Sequence, residues 1–87
     1  SDNVSATGMR ILGNPLSGDS KVISGESGAI GIGALYTLCS SDEFAIKDAK
    51  QKLNITDSSV ILVFSTEGDT NPDRYRKIVW EGAWSLN

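Results

Sequence analysis

Histidine is absent from this 87-residue sequence. With it go the commonest general base, the commonest zinc ligand and every Ser-His or Cys-His nucleophile pair, so the chain lacks the means of a self-sufficient hydrolase. Cysteine is nearly absent too: Cys39 stands alone, permits no internal disulfide and, in an apolar stretch, reads as a small core residue in a reducing compartment. Positive charge is scarce. Eight Lys and Arg against eleven Asp and Glu leave a net charge of −3, so nothing draws the chain towards nucleic acid or anionic lipid. No apolar run is long enough for a membrane span, and no secretory pattern opens residues 1–10. The first residue is serine rather than methionine, and the expectation is a cytoplasmic chain processed or excised from something longer.

What is present is ordinary globular material, 39% hydrophobic and 22% charged, in an amount sufficient for one unit over residues 1–87. Cap-type residues at the start and Gly13 after the last apolar residue predict a helix over 3–12. The turn formers of 14–20 predict a loop. Lys21-Val22-Ile23-Ser24 then reads as a short buried strand. From Ser27 to Cys39 no residue is charged, which predicts a helix buried all round, and Gly31 and Gly33 within it predict close backbone packing on a sheet. Residues 41–53 alternate Phe44, Ile46, Ala49 and Leu53 with charged neighbours and predict an amphipathic helix. Val60-Ile61-Leu62-Val63-Phe64 is the strongest strand signal, a continuous apolar run of the kind found in central parallel strands. Asn71 and Pro72 open a last helix to about Trp80, ended by Gly82. The predicted class is therefore α/β, a piece of a parallel sheet in the order helix-strand-helix-helix-strand-helix.

Two loops lead from the ends of these strands into helices, Ser24-Gly25-Glu26-Ser27-Gly28 and Ser65-Thr66-Glu67-Gly68-Asp69-Thr70. Parallel α/β sheets bind ligands at such places, and both loops should reach the same edge. Better-known motifs fail on inspection. Gly25-Glu26-Ser27-Gly28-Ala29 departs from a nucleophile elbow at Ala29 and has no histidine to activate Ser27. Tyr36 stands where a dinucleotide loop needs its last glycine, and Arg74 and Trp80 occupy the glycine and glutamate positions of a calcium loop. Asn54-Ile55-Thr56 is a glycosylation sequon, with meaning only in a secreted protein. Arg74, Arg76 and Lys77 read as a solvated helix face.

At the two loops the sequence is recognisable. Gly8-Met9-Arg10-Ile11-Leu12-Gly13-Asn14-Pro15-Leu16, Ile23 to Ala29, Phe64 to Pro72, and Tyr75-Arg76-Lys77-Ile78-Val79-Trp80 resemble the C-terminal part of the diaminopropionate ammonia-lyase family. That family belongs to the fold-type-II, tryptophan-synthase-β-like pyridoxal-phosphate enzymes, cytoplasmic and typically dimeric. The resemblance implies β-elimination of ammonia from 2,3-diaminopropionate, giving pyruvate and two ammonia. It implies that Ser65 or Thr66 faces the pyridine nitrogen of pyridoxal phosphate, and that Glu26, Ser27 and Gly28 line the cofactor pocket. The family's cofactor-binding lysine and phosphate loop lie upstream of the matched region, and none of Lys21, Lys47, Lys50, Lys52 or Lys77 sits in a motif like the lysine's. The resemblance thus implies a fragment, inactive alone, that needs the rest of the parent chain, binds no nucleic acid or membrane, and self-associates through its uncovered apolar surface. The alternatives are a stand-alone ligand-binding or regulatory α/β domain and a piece of a threonine-dehydratase-like relative.

Overall fold

A computed structural model describes residues 2–65, 67–68 and 70–84. Four helices follow one another: α1 (Asp2–Gly13), α2 (Glu26–Ser40), α3 (Phe44–Lys52) and α4 (Pro72–Val79). Helix α1 carries Asp2 in its first turn and Arg10 in its last, the charge order that complements a helix dipole. At α4, Asn71 caps the helix by accepting from the Arg74 N–H at 3.2 Å, with Pro72 at the first helical position as the sequence predicts.

The centre is made by α1, with α2 on one side and α4 on another, while α3 touches only α2. Ala6, Met9, Ala29, Tyr75, Ile78 and Val79 form the core, with Leu12 and Ala83 packed against it. Small residues set how closely α1 and α2 approach. A Cβ on Gly8 would lie 2.9 Å from the Gly33 nitrogen, and one on Gly33 would lie 3.1 Å from the Gly8 nitrogen and overlap the Val4 carbonyl. The close approach expected at Gly33 is therefore real, but it is made to a helix and not to a sheet.

The expected α/β class is corrected by the structure, which is all helical among the described residues. Segments 21–24 and 60–64 carry no strand. A strand exists only through ladder bonds to a neighbour, and among the described residues neither run forms a ladder, although their ends come together where the Gly25 N–H meets the Glu67 carbonyl. The run from 60 to 64 is open on one side, with Val60 98% and Phe64 75% exposed, while Val63, beside Gly31 of α2, is 37% exposed. Two smaller expectations fall for the same want of cover. Helix α2 is not buried all round, since Ile30 and Tyr36 are exposed. Cys39 is exposed rather than a core residue. The helix expected over 41–53 forms as α3, and none of its residues is buried.

Candidate functional site

The two glycine- and serine-rich loops meet, although no sheet carries them. The Gly25 N–H donates to the Glu67 carbonyl at 3.2 Å, and the Ser27 N–H donates to Glu67 Oε1 at 3.3 Å. Gly25 is needed at this crossing: a Cβ there would lie 2.6 Å from Glu67 Oε1 and 2.8 Å from the Gly68 carbonyl oxygen. Below the crossing, Ser24 is fully buried and its Oγ lies 2.8 Å from Ser65 Oγ and 3.3 Å from the Gly25 carbonyl oxygen.

Above the crossing is a cavity of about 160 Å³ lined by Gly25, Glu26, Ser27, Glu67, Thr70, Asn71 and Arg74, with Met9 and Tyr75 of the core at its floor. Glu26, the first residue of α2, reaches into an ion pair with Arg74 of α4. The Arg74 Nη2 donates to Glu26 Oε2 at 3.0 Å, and the Arg74 Nε donates to Oε1. Hydrogen bonding from Arg74 holds the Glu26 carboxyl below its usual range; burial opposes this and the guanidinium charge adds to it. The same hydrogen bonding raises the Arg74 guanidinium. At pH 7 the cavity thus presents an ionised carboxylate that can accept but not donate.

Of the residues singled out from sequence, Glu26 and Ser27 line this cavity. Ser65 stands beside it, exposed and joined to Ser24. Gly28 is buried one residue further into α2. Thr66 lies outside the described residues. Sequence reasoning missed Arg74, expected on a solvated face. It is the partner of Glu26, and its guanidinium carbon lies 4.2 Å from the centroid of the Trp84 ring. The available signal was Glu26 itself, an acid in a turn that must find a cation or face a cavity. Among the described residues there is no group of three or more His, Cys, Asp or Glu placed to hold a metal ion.

Comparison with known proteins gives first a class. The backbone superposes on solved structures of an ammonia-lyase, with 44% sequence identity. One is Escherichia coli diaminopropionate ammonia lyase in complex with an aminoacrylate-PLP azomethine reaction intermediate, where the match has a TM-score of 0.89 and covers 99% of this chain and 22% of that one. The same enzyme in complex with D-serine matches with a TM-score of 0.90 over 100% of this chain and 22% of that one. Sequence then gives the particular relatives. Diaminopropionate ammonia-lyase of Escherichia coli K12 is 47% identical over 81 residues, 93% of this chain and 20% of the relative. That of Salmonella typhimurium LT2 is 48% identical over 82 residues, again 93% of this chain and 20% of the relative. No protein-family model matches. This chain is thus similar, over nearly all of its length, to one stretch of diaminopropionate ammonia-lyase, and it spans about a fifth of the length of the curated relatives it matches.

Proposed function

We propose that this chain is the C-terminal portion of a pyridoxal-phosphate-dependent lyase that eliminates ammonia from 2,3-diaminopropionate, and that it forms one wall of the cofactor pocket. The observation that carries the reading is the 44% identity and TM-score of 0.89 to an enzyme caught with a PLP-bound aminoacrylate. The donor set of the two loops fits such a group. Ser65 is exposed, and with Ser24 Oγ as the donor in the bond between them the Ser65 hydroxyl keeps its own proton to give to a pyridine nitrogen. A hydroxyl, unlike a carboxylate, leaves that nitrogen largely unprotonated. Thr66 is the other candidate for this contact. Glu26, Ser27 and Gly28 would border the same space, with Glu26 fixed as an acceptor by Arg74.

Bound there, pyridoxal phosphate supplies an electron sink for loss of the α-proton and the β-amino group. The chain's own residues bind and orient. The crossing of the two loops at Gly25 and Glu67 fixes where the Ser65 hydroxyl stands relative to the Glu26 carboxylate. The rest of the parent supplies the cofactor-binding lysine, the phosphate loop and the cover for the apolar run at 60–64, so the 87 residues alone are inactive. The reading includes a cytoplasmic homo-oligomer. No helix among the described residues is long and apolar enough to cross a membrane.

The test uses the full-length parent. A yellow, borohydride-reducible chromophore and pyruvate release from 2,3-diaminopropionate are expected. Colour without pyruvate moves the substrate to another amino acid, and a colourless protein that releases no pyruvate overturns the reading.

A further inference from the structure

Arg74 joins three parts of the chain. At its base, its own N–H is held by the Asn71 cap at 3.2 Å. At its fork it grips both oxygens of Glu26, 48 residues away in sequence. On its face lies the Trp84 ring, 4.2 Å from the guanidinium carbon. Trp84 has φ of 55°, a left-handed conformation that a bulky side chain adopts only when its surroundings demand it. Arg10 anchors the same segment by donating to the carbonyls of Ile78 and Ala83. The two carboxylates lining the cavity are thus held by different means: Glu67 by the Ser27 N–H, Glu26 by the guanidinium.

Resting on the pyridoxal-phosphate reading, we propose that Arg74 is a positioning residue that fixes the Glu26 carboxylate across the mouth of the cofactor pocket, with Trp84 stacked behind it as a brace. A planar two-pronged grip fixes the carboxylate's direction as well as its charge, and an aromatic ring on the guanidinium face keeps the fork from swinging away. Glu26 then offers the pocket a fixed acceptor, suited to a donor on the cofactor or substrate. Lysine could supply the charge at position 74 but neither the fork nor the stack. Other charged groups near the pair are Glu67, across the cavity, Asp2 of α1, whose charge acts on Arg74, and Asp73 and Lys77 of α4, which border a hollow with Arg74 and Trp84.

The experiment uses the full-length parent with Arg74→Gln, Arg74→Lys, Glu26→Gln, Trp84→Leu and the Arg74→Gln/Glu26→Gln double variant, each checked for fold by circular dichroism. Arg74→Gln and Glu26→Gln should each weaken pyridoxal-phosphate binding about tenfold and shift the bound cofactor's absorbance in the same direction, the size expected for a charged hydrogen bond. The double variant should be no worse than either single one, Arg74→Lys should recover part of the loss, and Trp84→Leu should give a smaller shift of the same sign. A folded Arg74→Gln protein with wild-type affinity and absorbance overturns the proposal, and an unshifted Trp84→Leu overturns the brace. If the wild-type parent takes up no pyridoxal phosphate, the function proposed above fails on its own. The Glu26 carboxyl, followed by carbon NMR in the cofactor-free parent, then decides the role of Arg74. A higher titration midpoint in Arg74→Gln supports the positioning role, and an unchanged one overturns it.

Discussion

The carbonyl of Val4 fills the space where a Cβ on Gly33 would stand, so helices α1 and α2 touch backbone to backbone. That contact is one turn from its counterpart, Gly8 against the Ala29 carbonyl, and together they set the depth at which Met9 and Ala29 enter the core.

Gly33→Ala should therefore be costly in the parent, by about 1–3 kcal/mol or more, because the obstacle is backbone and cannot rotate away. Gly31→Ala is the control. Its Cβ would meet only the Val63 side chain, at 3.1 Å, and alanine favours a helix interior by about 1 kcal/mol over glycine. Denaturant unfolding with hydrogen exchange of the α1 and α2 amides should show lost protection for the first substitution and little or none for the second.

Ser24→Ala and Ser65→Ala separate stability from function at one hydrogen bond. Ser24 is fully buried, and its loss should cost about 1 kcal/mol of stability while leaving the Ser65 hydroxyl exposed and able to bind. Ser65→Ala should leave stability nearly unchanged, since Ser24 keeps the Gly25 carbonyl, but should alter the absorbance of bound cofactor and slow pyruvate release. Thr66→Ala, measured beside it, assigns the pyridine contact.

Asn71→Ala removes the α4 cap and should cost about 1 kcal/mol, read as faster hydrogen exchange in the first turn of α4. Because Arg74 is the residue whose N–H that cap holds, the same variant should partly reproduce the cofactor shift of Arg74→Gln.

The Glu26 carboxyl titrates below its unfolded value of about 4.3, so its contribution is full above that pH and is lost as pH falls through the lower folded value. Acid should therefore loosen the start of α2 and the α4 cap, and Glu26→Gln should remove that component of the acid transition. The pair is 30% and 36% exposed, so added salt should weaken it at neutral pH as well. Hydrogen exchange against pH and salt, with Glu26→Gln as reference, checks both.

Local signals were legible where they act through the next few residues. The Asn71-Pro72 start of α4, the positive φ of 77° at Gly82 beyond its end, and the helical reading of α1, α2 and α3 all follow from capping, spacing and turn chemistry over a handful of positions. The meeting of the two loops was expected as well, but from a shared sheet edge that the structure does not have among the described residues; it is made instead by the Gly25–Glu67 crossing. The parallel sheet was expected wrongly, for a physical reason. An apolar β-branched run states a preference for extended backbone, but a strand needs a ladder of bonds to a neighbour, and the run at 60–64 forms no ladder among the described residues. Its burial was misjudged for the same cause, since pattern reports what a segment would bury and not what lies over it.

The sequence by itself determined the four helices, the absence of histidine chemistry, and the presence of Glu26, Ser27, Gly28 and Ser65 in two loops of the right composition. Tertiary structure alone decided that Gly33 meets a helix, that Ser24 meets Ser65, and that Arg74 turns from solvent to Glu26 and Trp84. Propensity acts along the chain within a turn or two, whereas an ion pair across 48 residues depends on where packing places two helix starts.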